Sequence, residues 1–191
     1  MHYAAAFRAL AAVVMLALAP PPATGESPSH ALPGTFVAPE LELVEQGLYC
    51  REEIGDKVPA PQTELGYIHT ALGKSGPVAI TRTVPAAIGF AFGVRLRARP
   101  GSERIFARFS VEHPGIRPGE RVLESWDTSF VPEEPSLNRF LFEYETELRP
   151  GLWVMEARHG DQLLYRQEFD VVPPAEAPAL LAACSGPQIA S

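Results

Sequence analysis

Residues 150–172 read PGLWVMEARHGDQLLYRQEFDVV, and this stretch decides the fold. Pro150-Gly151 opens it as a turn, Gly160-Asp161 interrupts it, and side chains of opposite character alternate on both sides of the interruption. Trp153, Met155 and Ala157 fall on one face against Val154, Glu156 and Arg158 on the other. Beyond the turn, Leu163, Tyr165, Phe169 and Val171 share a face. A period of two is the signature of a strand with one dry and one wet side, so the stretch predicts a β-hairpin. Trp153 is then the large core residue between two sheets.

The same period recurs upstream. Val94, Leu96 and Ala98 alternate with Arg95, Arg97 and Arg99, and Ile105, Ala107, Phe109 and Val111 alternate with Arg108, Ser110 and Glu112. Arg99-Pro100-Gly101-Ser102 joins these two runs as a turn. Val78, Ile80, Arg82 and Val84 share a face, as do Phe140, Phe142 and Tyr144. From Leu41 to Arg51 the apolar phase changes across Gln46-Gly47, which predicts a bulge at the glycine. Residues 56–76 hold Pro59, Pro61, Gly66, Gly73 and Gly76 without periodicity and read as a surface excursion. A second loop runs from Gly115 to Pro135, with one short strand around Val122. With 20 prolines and 15 glycines in 191 residues, long helices are excluded. The prediction is an all-β, immunoglobulin-like antiparallel β-sandwich of about seven strands over residues 41–172.

The flanks read differently. Arg8 followed by the apolar run 9–19 and Pro20-Pro21-Pro22 predicts a signal peptide over 1–25, cut after Gly25 or alternatively Ala31. The run is too short to span a bilayer, so no membrane span is expected after cleavage. Residues 26–40 read as a flexible leader, and 173–191 as a Pro/Ala-rich tail with a helical turn around Pro178 to Ala183. Export, to the periplasm or outside the cell, places Cys50 and Cys184 where they can oxidise, and they are predicted to pair. Losing Arg8 takes the formal charge from −7 to −8, and an acidic surface argues against nucleic acid as a partner. The sequence carries no signal for oligomeric state.

Several segments resemble a bacterial domain family of unknown function. They are Val84-Pro85-Ala86-Ala87-Ile88-Gly89-Phe90-Ala91-Phe92-Gly93, Glu112-His113-Pro114, Leu148-Arg149-Pro150-Gly151-Leu152-Trp153-Val154-Met155-Glu156, Gly160 and Phe169-Asp170-Val171-Val172. The resemblance covers Leu43 to Val172. It implies an immunoglobulin-like sandwich, often behind a signal peptide, and implies no activity. The chain departs from the family pattern at Gly115, where a second proline is expected after His113-Pro114.

Catalytic signatures fail on spacing. Gly73-Lys74-Ser75 resembles the end of a phosphate loop, but Gly66 is two residues too far upstream and no strand or helix flanks it. Leu181-Ala182-Ala183-Cys184 has the letters of a lipoprotein box at the wrong end of the chain. There is no Gly-x-Ser-x-Gly elbow. His69, His113 and His159 lack ligand spacing, since Glu156 and His159 would point to opposite faces of a strand, so neither a metal nor a cofactor is expected. Arg95, Arg97 and Arg99, with Arg108, read as a wet face paired with Glu112 and other acids.

Candidate binding residues are Trp126, Glu124, Asp127 and His113. An aromatic among acids in a loop suits contact with a ligand or partner. The leading reading is a non-catalytic exported module that binds a protein or a cell-envelope component. The alternatives are a carbohydrate-binding accessory or hydrolase using the Trp126 loop, and a metal-handling protein using His113.

Overall fold

The computed structural model describes residues 31–51, 54–71 and 75–185. Residues 1–30, which hold the expected signal peptide and the start of the expected leader, lie outside the described residues, as do Gly73-Lys74. The chain order is β1 (Phe36–Val37), β2 (Leu41–Tyr49), β3 (Ile54–Pro59), β4 (Tyr67–Ala71), β5 (Thr83–Pro85) and β6 (Ala91–Ala98). It continues with β7 (Ile105–Pro114), β8 (Arg121–Phe130), β9 (Ser136–Leu141), β10 (Gly151–His159), β11 (Gln162–Val172) and helix α1 (Pro178–Ser185).

One sheet runs β1-β11-β10-β7-β8, with β5 added in parallel to β11; the other runs β2-β6-β9. The two sheets bury their alternating apolar faces against each other, which makes the predicted all-β immunoglobulin-like sandwich. Its centre is aromatic: Phe92, Phe142, Trp153 and Phe169 are fully buried, with Trp153 edge-on to Phe92 and Phe142. Trp153 donates its indole N–H to the Arg149 carbonyl at 2.8 Å, so its one polar atom is satisfied inside the core. Strands β10 and β11 pair as predicted, Trp153 opposite Phe169, with a register shift after Ala157 that leaves Leu164 as an extra buried residue.

Several expectations are corrected. The 56–76 excursion holds a third, two-stranded sheet, β3 with β4. The loop expected over 115–135, with one short strand around Val122, instead carries β8, a ten-residue strand fully paired with β7 from Ile105↔Phe130 to Pro114↔Arg121. Its polar inward residues hid the alternation. The β2 register shift falls between Leu43 and Glu45, not at Gly47. Gly47 instead has φ 142°, and a Cβ there would meet the Ala79 carbonyl oxygen at 2.2 Å, so close backbone approach is what requires glycine. Strand β9 ends at Leu141, which leaves Tyr144 exposed outside the face of Phe142.

The described part of the leader, residues 31–40, packs against the sandwich. Leu32 and Ala38 are buried, and Phe36-Val37 pair with Arg166 and Tyr165. A buried polar chain fixes this segment: Tyr165 donates to Gln46 Oε1 at 2.8 Å, Gln46 Nε2 donates to Thr35 Oγ1 at 2.8 Å, and the Thr35 hydroxyl donates to Gln167. Burial raises the Tyr165 phenol well above its ordinary pKa, so it stays a hydrogen-bond donor. The basic row is paired, though not with Glu112: Arg95 meets Glu45 at 2.8 Å and Arg97 meets Glu42 at 2.7 Å, across the β2–β6 ladder. Glu112 pairs with Arg121. At the C-terminal end α1 carries Cys184 to Cys50, and the two form the predicted disulfide with Cα atoms 5.3 Å apart.

Candidate functional site

Strand β8 is the edge of one sheet and β9 the edge of the other, and the β3–β4 hairpin lies across the opening between them. Because side chains alternate along β8, Glu124 and Trp126 point inward while Leu123 and Asp127 point to solvent. The inward pair lines a cleft of about 120 Å³. Tyr67 and His69 of β4 form one wall, Asn138 and Phe140 of β9 another, and Glu143 and Glu147 complete the rim.

A buried carboxylate needs partners, and Glu124 has them on both oxygens. Oε1 lies 2.9 Å from Nε2 of His113, and Oε2 accepts the Glu64 backbone N–H at 2.8 Å. His113 stands opposite Val122 on β7, one diagonal step from Glu124, and both side chains are almost fully buried. The imidazole stacks on Trp153, centroids 4.3 Å apart and planes 18° apart, so this polar pair abuts the aromatic core. Its Nδ1 lies 2.9 Å from the Pro114 carbonyl oxygen. Arg149 closes the seam, with Nη2 2.9 Å from Glu64 Oε2 and Nη1 3.3 Å from the same Pro114 oxygen.

The rim is held by polar contacts. Glu147 accepts the backbone N–H groups of Glu143 at 2.6 Å and Tyr144 at 2.8 Å through Oε2. Burial pushes its carboxyl above the ordinary range, and these two amide bonds only partly oppose that. His69 Nε2 lies 3.4 Å from Glu143 Oε1, and the Tyr67 and Tyr144 hydroxyls are 3.2 Å apart. These two contacts tie the hairpin to the rim.

Three of the four predicted residues converge here. Trp126 lies in a strand, not a loop, and is buried: its ring stacks on Phe109 at 5.2 Å and its N–H donates to Asn138 Oδ1 at 3.2 Å. Glu124 and His113 are buried beside it. Asp127 is on the opposite face, 83 % exposed and 3.0 Å from Arg108. His159 is exposed and bonded to the Phe106 carbonyl, away from the cleft. Sequence reasoning missed Glu64, Asn138, Glu143, Glu147 and Arg149. The spacing of Glu124 and Trp126 by two was a usable signal, whereas Glu64 lies in a turn without periodicity.

Residues 37–171 match the protein family described as Domain of unknown function (DUF3859). The chain belongs to the DUF3859 family. The match takes in both sheets, the β3–β4 hairpin and every residue of the cleft, and it ends before α1. The disulfide therefore joins the DUF3859 core to a residue beyond it. Among solved structures, an immunoglobulin-like protein from Pseudomonas aeruginosa is similar, with 21 % identity over 66 % of this chain and 97 % of that one and a TM-score of 0.39. No curated protein matches the chain.

Proposed function

We propose that this DUF3859 domain is an exported, non-catalytic binding module that seats a group of a protein partner or cell-envelope component in the cleft beside Trp126 and Glu124. The observation that carries the reading is the cleft itself: a concavity at two sheet edges whose lining combines the apolar Trp126, Phe140 and Leu141 with the carboxylates of Glu124, Glu143 and Glu147. Its volume of about 120 Å³ is below the roughly 300–1,000 Å³ of pockets that enclose a whole drug-sized ligand, and suits one anchoring side chain. The disulfide supports an oxidising compartment, periplasmic or secreted. A carbohydrate platform is disfavoured, because such a platform needs an open indole face and Phe109 stacks on Trp126.

Site-specific photo-crosslinking in the native cell envelope tests the reading. A benzophenone amino acid at Tyr67 or Leu137, in the cleft, is expected to capture one recurrent species. The same probe at Asp127 or Phe106, on the opposite face, is expected to capture none. Equal capture from both faces, or capture only from the outer face, would refute the assignment.

A further inference from the structure

The ring nitrogens of His113 present a problem of hydrogen-bond accounting. Nδ1 lies 2.9 Å from the Pro114 carbonyl oxygen and Nε2 lies 2.9 Å from Glu124 Oε1; both oxygens are acceptors. A neutral imidazole has one N–H and one lone pair. Arg149 Nη1 is 3.4 Å from Nδ1, but an Nδ1 lone pair would then face the closer carbonyl oxygen, so the N–H belongs on Nδ1. The Nε2 lone pair is left aimed at a carboxylate, and a cation must sit between them. A proton can fill that role, and so can a metal ion.

Glu64 makes the second possibility specific. One ligand atom each from Glu64, His113 and Glu124 lies within 4.8 Å of the other two. We infer that His113 Nε2, Glu124 and Glu64 form a site for a divalent transition-metal ion, zinc in the first instance, next to the DUF3859 cleft. One imidazole and two carboxylates are a donor set that zinc accepts. Zinc bonds of about 2.0–2.2 Å at a tetrahedral angle put nitrogen and oxygen roughly 3.3 Å apart. The 2.9 Å separation present here opens to that value by a shift of a few tenths of an ångström. The Nδ1–H bond to a backbone carbonyl is the outer contact that metal-bound histidines usually make, and it fixes the tautomer with Nε2 free to coordinate.

Entry is from the Glu64 side, whose carboxylate is 37 % exposed, whereas His113 and Glu124 are walled in by the sandwich. A fourth position then faces solvent or a donor from the bound partner. Arg149 is the built-in competitor, since its guanidinium already neutralises Glu64 at 2.9 Å. Binding zinc requires this ion pair to open. The inference is independent of the proposed partner, because it concerns the ion alone.

The test uses the oxidised, tag-free protein, whose two cysteines are held in the disulfide and do not compete for metal. Zinc chloride is titrated in a calorimeter against wild type and four variants. Wild type is expected to bind one equivalent. Glu64→Gln and His113→Gln should each weaken binding about tenfold or more, on the scale seen when metal-site partners are removed. Arg149→Gln should tighten it, because the competing cation is gone; a merely structural role for Arg149 would not move affinity in that direction. His69→Gln, at the other histidine–carboxylate contact, should leave it unchanged. If His113→Gln fails to fold, the opposite signs of Glu64→Gln and Arg149→Gln still decide the matter. The inference fails if wild type shows no saturable zinc binding, if Arg149→Gln binds no tighter, or if His69→Gln is the variant that loses the metal.

Discussion

The two antiparallel hairpins β10–β11 and β3–β4 are built on opposite principles. The first buries Trp153, Met155, Tyr165 and Phe169 and forms the middle of a sheet. The second is a separate two-stranded sheet with few buried side chains among those described, held by the Arg149–Glu64 ion pair at its turn, the His69–Glu143 contact and the Tyr67–Tyr144 hydroxyl contact, with Lys57 lying 3.8 Å over the Tyr67 ring. Burial of large apolar surface fixes the first hairpin as part of the fold, while the second is fastened at its rim by contacts worth about a kcal/mol or less each. The cleft forms where the weakly fastened hairpin meets the rigid sandwich, which is where a binding surface can adapt.

Trp153→Ala should show the contrast most strongly. Truncating a fully buried tryptophan costs about 3–5 kcal/mol, and it also removes the ring on which His113 stacks. Denaturant unfolding measures it, and a cost under about 1 kcal/mol would mean that the centre of the core lies elsewhere. By comparison, Tyr67→Ala should change global stability by only about 0.5 kcal/mol while speeding amide exchange across β3 and β4. Exchange that slows or speeds equally in β10 and β11 would erase the distinction between the hairpins.

The rim supplies a smaller, pH-dependent test. Glu147 has its carboxyl raised in the fold by burial, so the fold prefers the protonated form more than the unfolded chain does. That stabilising contribution is complete below the ordinary carboxylate pKa and is lost as pH rises through the raised value. Glu147→Gln, which keeps an oxygen for the two amides, should melt higher than wild type at neutral pH and lose that advantage on acidification. A variant less stable than wild type at neutral pH would show that the anion itself holds the rim.

The smallest effect belongs to the paired surface row. The hydrogen bond from Arg97 holds Glu42 below its ordinary pKa, so its contribution is present above the unfolded value and is lost as pH falls through the depressed one. Glu42→Gln should cost a few tenths of a kcal/mol at neutral pH and nothing in strong acid, because the pair is partly exposed. A loss that persists in acid would point to packing rather than charge.

The same contrast explains what was legible in the sequence. Alternation over residues 94–98, 105–111 and 153–157 reflects one face against the core, so the sheets and Trp153 could be read directly. Strand β8 reads as a loop in the sequence because its inward residues include Glu124, whose burial depends on His113 and a backbone N–H sixty residues away in sequence. No local pattern encodes a partner that distant. Residues 31–40 read as a flexible leader for a similar reason: Leu32 and Ala38 are isolated apolar residues, and Thr35 gains its place from Gln46 and Gln167. Trp126, Glu124 and His113 were found by residue type, whereas the separation of Asp127 needed the strand phase that the loop assignment had hidden.

The two tryptophans offer the most direct test of the account, since one lies in the cleft and the other in the core. Adding the species captured by cross-linking to 15N-labelled protein should shift or broaden the Trp126 indole resonance and the amides of β4 and β9. Residues on the far face, Phe106 and Asp127 among them, should stay unchanged. Perturbations confined to that far face, with the Trp126 signal unmoved, would contradict it.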